Sequence, residues 1–163
     1  MYLTRGSETE EQSWFTGKIG HHFKVLTPEN RELGCMGASL NRLPQGCVAV
    51  PFHWHAMEDE IFYILSGKGI FRYGEELAEV GPGDTINCPA GTRIAHQIGN
   101  PFAEDLVYLC MGPHHAHEVC GYPDNGKVMV RSTKQVGTLQ VAPYMEGEPE
   151  QPNIFELWEQ SKK

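Results

Sequence analysis

Phe52-His53-Trp54-His55-Ala56-Met57-Glu58-Asp59-Glu60 brings two imidazoles and a carboxylate close together in one extended stretch. Residues i and i+2 of a β-strand share a face, so His53 and His55 can aim their rings at one point. Glu60 follows after a polar dipeptide able to bend the chain into the next strand. Two neutral nitrogens and one carboxylate oxygen suit a borderline divalent metal. A lone His-x-His pair is as consistent with a solvent-facing strand, so the context has to decide. Glu58 and Asp59 compete with Glu60. Glu58 shares its parity and can orient a ligand histidine from behind; Asp59 reads as a turn or solvent-facing residue.

Outward from this stretch the texture is all-β. Apolar runs alternate with Gly/Pro punctuation such as Leu43-Pro44-Gln45-Gly46, Gly81-Pro82-Gly83-Asp84 and Cys88-Pro89-Ala90-Gly91. The Gly-Pro-Gly-Asp run suits a type II turn. Strands are expected at residues 37–42, 47–55, 60–65, 69–73, 77–80, 84–88, 93–99 and 105–111, which argues for a sandwich or barrel over residues 34–112. Residues 1–33 read as an N-terminal arm, with Trp14-Phe15 tucking it onto the body. An edge strand is expected at 21–26, ended by Thr27-Pro28-Glu29-Asn30, with His21 and His22 as exposed polar residues. Residues 113–163 read as an extension packed on the barrel within one single-domain chain. Asn125-Gly126 marks a hairpin leading into a strand at 128–130. Asn153-x-x-Glu156 reads as the cap of a short helix whose apolar face, Ile154, Leu157 and Trp158, docks on the barrel or on another subunit.

The chain has 163 residues, with 13 Lys+Arg against 21 Asp+Glu, for a net charge of −8. Without a basic cluster, nucleic acid and anionic membranes are poor partners. No apolar run approaches the ~20 residues of a membrane span, and the first residues do not resemble a signal peptide. Cys35, Cys47, Cys88, Cys110 and Cys120 are odd in number and scattered. They read as free thiols, mostly small buried fillers, in a reducing cytoplasmic setting.

His53-x-His55-x4-Glu60-x6-Gly67 and Gly83-x5-Pro89-x-Gly91-x4-His96-x3-Asn100 together closely resemble the two motifs of the cupin superfamily. The second motif departs from the usual pattern: four residues, Thr92-Arg93-Ile94-Ala95, stand where the family has two, which leaves strand parity unchanged. The resemblance implies a double-stranded β-helix, or jelly-roll barrel, holding one divalent transition metal on His53, His55, Glu60 and His96. Mn, Fe, Ni and Zn all suit such a donor set. A wider resemblance, through Glu58–Gly67, Pro89–Thr92 and Glu118-Val119-x2-Tyr122-Pro123-Asp124, is to bacterial single-domain cupins provisionally named sugar-phosphate isomerases.

That resemblance implies a metal-dependent isomerase acting on a small sugar or sugar phosphate. A non-haem metal dioxygenase and a non-catalytic small-molecule-binding cupin are the alternatives. The isomerase base is left open, with Glu60 and the histidines of His114-His115-x-His117 as candidates; otherwise that cluster is an exposed loop. Arg72, Arg93, Tyr63 and Lys68 are candidate contacts to an anionic substrate. An antiparallel barrel with open edges and apolar extensions is expected to form a homodimer.

Overall fold

In the computed structural model, residues 3–27 and 36–162 are described. The described residues form a curled, mainly antiparallel sheet and a second, smaller sheet. Among the described residues the larger sheet contains β1 (Gln12–Thr16), β2 (Ile19–Val25), β3 (Met36–Leu43), β4 (Cys47–Val48), β6 (Glu60–Ser66), β7 (Gly69–Tyr73), β8 (Glu76–Val80), β9 (Thr85–Cys88), β10 (His96–Asn100) and β11 (Leu106–Pro113). Its order is β8-β7-β10-β4-β2-β3-β11-β6-β9, with β1 on β2. The smaller sheet runs β14 (Gln135–Thr138), β13 (Lys127–Val130), β12 (Val119–Tyr122) and β5 (Trp54–His55).

Period-two alternation sets the inner face. On β6, Phe62 and Ile64 are buried and Ile61, Tyr63 and Leu65 exposed. Glu60 shares the parity of Phe62, so its carboxylate is carried inward. The core joins Leu43, Phe62, Ile64, Phe71, Ile98, Leu106 and Tyr108. Each such side chain contributes about 1.5–3 kcal/mol through burial. Gly67 ends β6 in the left-handed region, at φ 73°, and an added Cβ would sit 2.2 Å from the Asp105 carbonyl oxygen. That position requires glycine on both counts.

Several expectations are corrected. Within the N-terminal arm, residues 12–16 form a strand, β1, which hairpins onto β2. Consequently β2 is no edge strand; it pairs with β1, β3 and β4. His21 is half-buried, with Nδ1 3.2 Å from the Ala49 carbonyl oxygen. The expected strand at 47–55 divides into β4 and β5, because the chain bends over residues 49–53 to cross between sheets. The strand expected from residue 93 begins at His96, after Arg93 adopts a left-handed φ of 58°. The two additional residues of the second motif are therefore absorbed in a loop, and strand parity plays no part in aiming His96.

β12 and β14 were not expected at all. The hairpin at Asn125-Gly126 does join β12 to β13. The terminal helix α1 (Asn153–Ser161) has Pro152 at its N-cap and no side-chain cap, so Asn153 starts the helix without capping it. Its apolar residues are 61–68% exposed, so that face does not pack on the barrel of its own chain. Most of the turn at residues 27–30, and Cys35, lie outside the described residues. No described helix is long and apolar enough to cross a membrane. The architecture is an all-β jelly-roll barrel.

Candidate metal centre

Three strands and one isolated bridge assemble the cluster. His53 bridges to His96 across the gap between the sheets, with backbone N–H groups donating reciprocally over 3.1 and 2.7 Å. His55 sits on β5, Glu60 opens β6 and His96 opens β10. One donor atom from each of His53, His55, Glu60 and His96 lies within 4.8 Å of the other three. Glu60 Oε2 is 2.7 Å from His96 Nε2, 3.4 Å from His55 Nε2 and 3.7 Å from His53 Nε2. The four residues assigned through the motifs are thus brought to one point.

The remaining ring nitrogens explain the aim. His53 Nδ1 lies 2.9 Å from the Pro51 carbonyl oxygen. A carbonyl only accepts, so Nδ1 carries the proton and Nε2 presents its lone pair to the cluster. His55 Nδ1 lies 3.3 Å from Cys120 Sγ. Phe71 stacks on the His96 ring at 6.1 Å and 7°, which fixes its plane. Trp54, between the two histidines, lies flat against Gly121, where an added Cβ would stand 2.2 Å from the indole. Only glycine permits β12 to approach β5 so closely.

The electrostatics follow from this packing. Burial works against ionising Glu60, but the imidazoles of His53, His55 and His96 around it hold its carboxyl well below the usual range. Burial also opposes a charge on His55, yet Cys120 and Glu60 outweigh it and raise the imidazole to about 10. For His96, burial dominates and lowers it. Burial and the Glu60 charge push the Cys110 thiol up. Its Sγ stands 3.4 Å from Glu60 Oε1. Three imidazoles and one ionised carboxylate suit a divalent transition ion.

Groups the sequence reading missed hold this cluster from behind. Glu118, 0% exposed, accepts from the backbone N–H groups of Ala56 (2.7 Å), Met57 (3.1 Å) and Val119 (3.0 Å). It thereby fastens the segment between His55 and Glu60. Glu58 is not chiefly a histidine partner: its carboxylate is 3.8 Å from His55 Nδ1 but forms a two-pronged pair with Arg131, Nη2 donating over 2.9 Å. The His115 backbone N–H also donates to Glu58. The only signal for Glu118 lay in the wider resemblance, and Arg131 carried none. His55, Glu118 and Cys120 form a second close group, but the Glu118 oxygens are already engaged by backbone N–H groups.

Cavities flank the cluster. One of about 450 Å³ lies against the smaller sheet, among His53, His55, Tyr122, Asn125 and Lys127. Another, of about 340 Å³, brings His114 to the same space as His55 and Glu60. Thus His114 lines the centre, His115 acts through its backbone, and His117 is exposed. The candidate anion contacts lie elsewhere. Arg72 pairs with Asp124 at 2.8 Å and covers Phe52. Lys68 pairs with Glu79 at 2.6 Å. Arg93 lies over Trp54. Tyr63 faces outward. Cys47, Cys88 and Cys120 are buried free thiols and Cys110 is half-buried, but Cys110 and Cys120 touch the cluster and are more than fillers.

Comparison with known proteins agrees with the architecture. Residues 39–112 match the Cupin_2 family of cupin domains. An uncharacterised protein of Methanocaldococcus jannaschii is 40% identical over 67 residues, which cover 40% of this chain and 52% of that protein. The match thus spans about half the length of that relative. A crystal structure from Acidithiobacillus ferrooxidans, of a protein provisionally named sugar phosphate isomerase, superposes with a TM-score of 0.73 at 25% identity, covering 84% of this chain and 92% of that one. A Silicibacter pomeroyi protein named sugar phosphate isomerase from a cupin superfamily gives 0.72 at 20% identity, covering 86% and 98%. The barrel thus has the cupin fold, with the domain match confined to residues 39–112.

Proposed function

We propose that this cupin domain holds one divalent transition metal on His53, His55, Glu60 and His96, and that the chain isomerises a small sugar or sugar phosphate. The observation that carries the reading is the compact set of three imidazoles and one carboxylate beside open cavities. The provisional name of the A. ferrooxidans protein supports the reaction class. Bound there, the metal would supply Lewis acidity toward a carbonyl and its neighbouring hydroxyl.

The chain's own residues do the rest. Pro51 and Cys120 keep the His53 and His55 rings turned inward. Glu118 and the Glu58–Arg131 pair keep the Trp54–Glu60 segment in place. Aldose–ketose isomerisation moves one proton from C2 to C1 and one between the two oxygens, so nothing is consumed. His114, on the wall of the cavity shared with Glu60, is the candidate to carry the carbon-bound proton. Two chains are proposed to associate as a homodimer, with the exposed apolar face of α1 in the contact.

The test is metal analysis of tag-free protein, followed by incubation with pentose and hexose phosphates under argon. Ketose formation at full rate without oxygen is expected. Oxygen uptake with catechols, thiols or diketones, and none of this isomerisation, would replace the reading with a dioxygenase. Ligand-dependent melting shifts without any turnover would leave a binding protein.

A further inference from the structure

On the barrel side of the cluster a smaller cavity, of about 180 Å³, reaches between His53, Glu60 and His96. Its polar wall comes from four strands: His21 on β2, Asn41 on β3, Gln97 on β10 and Tyr108 on β11. None of the four spends its full side-chain hydrogen-bonding capacity on the described residues. His21 Nδ1 donates to the Ala49 carbonyl, so Nε2 is a bare acceptor. Asn41 Nδ2 donates to Ser39 O and Oγ over 3.2 and 3.0 Å, which leaves Oδ1 over. Gln97 Nε2 donates to Val50 O over 2.9 Å and leaves Oε1.

Tyr108 is the sharper case. It is 2% exposed, and Asn41 only 3%. Neither the Tyr108 hydroxyl nor Asn41 Oδ1 has a hydrogen-bond partner among the described residues. Yet among those residues no fully enclosed side-chain nitrogen or oxygen lacks one. Both atoms must therefore open onto space, and the cavity these residues line is the space available. Buried polar atoms left over in this way are costly unless something meets them.

Among the described residues the wall contains neither lysine nor arginine. Burial lowers the His21 imidazole and raises the Tyr108 phenol, so both are neutral near pH 7. The cavity therefore presents acceptors, one phenol and the Glu60 carboxylate. Apart from the ion proposed at the four-donor cluster, a phosphate or carboxylate would find no cationic side chain on this wall among the described residues, whereas O–H donors would be matched. The cavity of about 450 Å³ on the other side of His53 differs, since Lys127 lies on its wall.

We propose that the inner cavity is a specificity subsite for an uncharged, hydroxyl-bearing arm of the ligand, read by the Tyr108 hydroxyl and Asn41 Oδ1, with any anionic group held outside near Lys127. The assignment rests on the reading that a ligand sits at the four-donor cluster. The inner space holds about six waters at roughly 30 Å³ each, enough for a short polyol arm.

Calorimetric titration of the metal-loaded full chain tests this, with glycerol and erythritol as neutral probes and ribose 5-phosphate as the ester. Erythritol should bind, and Tyr108→Phe should weaken it about fivefold, the worth of one ordinary hydrogen bond. Metal affinity should not change in that variant. Lys127→Gln should weaken ribose 5-phosphate and leave erythritol unaffected. Absence of polyol binding, polyol affinity indifferent to Tyr108→Phe, or erythritol binding weakened by Lys127→Gln would each overturn the subsite. Tyr108-dependent erythritol binding without turnover of any sugar phosphate would keep the subsite and remove the isomerase. Isomerase turnover with a KM unmoved by Tyr108→Phe would do the reverse.

Discussion

The barrel and the smaller sheet contribute different things to the same centre. Barrel strands and the bridge at His53 bring most of the donor atoms, while β12 and the residues flanking the β12–β13 hairpin bring what holds them: Glu118, Cys120 and Arg131. Donors of this kind announce themselves through residue type and short spacing. The supports do not, because Arg131 reaches Glu58 across 73 residues and Glu118 reaches Ala56 across 62. The difference suggests that the two sets fail differently: loss of a donor should remove metal, whereas loss of a support should remove stability or tune affinity.

The largest effect is expected on the donor side. His96→Ala should abolish stoichiometric metal binding and, in metal-loaded samples, the melting-temperature increment that the metal confers. An unchanged increment would mean that His96 is not a ligand. Next is Arg131→Met, which strands the buried Glu58 carboxylate. It should cost about 3 kcal/mol in urea unfolding, the lower end for a broken buried pair because Arg131 is partly exposed. A loss under about 1 kcal/mol would make the smaller sheet an ornament of the barrel and not its brace. Cys120→Ala, by contrast, should cost folding only about 1 kcal/mol and lower metal affinity about tenfold, by loosening His55.

A pH series sharpens the same contrast. In the metal-free protein the His55 imidazole is raised to about 10. A raised pKa favours the folded state fully below the ordinary histidine value of about 6.5, and that contribution fades as pH climbs through about 10. Metal must displace this proton. Apparent affinity should therefore rise about tenfold per pH unit from roughly 6.5 to 9, with one proton released per ion. Glu60, whose carboxyl is depressed, contributes stability above about 4.5 that is lost as pH falls through its lower folded value. Metal affinity flat across this range would mean that His55 carries no proton to displace. Light scattering offers a smaller test of assembly: a homodimer gives about 37 kDa, twice the chain's 18.3 kDa, and 18.3 kDa would exclude it.

What was legible in the residues follows the same division. The alternation of β6 and the Gly/Pro punctuation placed most barrel strands within a few residues, since pleat and turn chemistry are local. His-x-His with Glu60 was readable for that reason, and the second motif added His96. The break at residues 49–53 was not readable: an apolar run continues through a bend that only the second sheet requires. β12 and β14 are short and carry little alternation, so their pairing with β5 and β13 could not be seen. His21 reads as an exposed residue in the sequence, but the closed barrel sets it against Ala49 and on the wall of the inner cavity. The helix cap failed because Pro152 took the N-cap place that Asn153-x-x-Glu156 seemed to claim. Gly121 marks the limit: its need is set by Trp54, a neighbour 67 residues away along the chain.

The most direct measurement is metal stoichiometry. Tag-free protein should be stripped, reconstituted with Mn, Fe, Ni or Zn in turn, desalted and analysed for metal and protein together. The account predicts one ion per chain in the wild type and none above background in His53→Ala and Glu60→Ala variants that still fold. A wild-type protein that retains no ion, or variants that retain it fully, would contradict the four-donor centre.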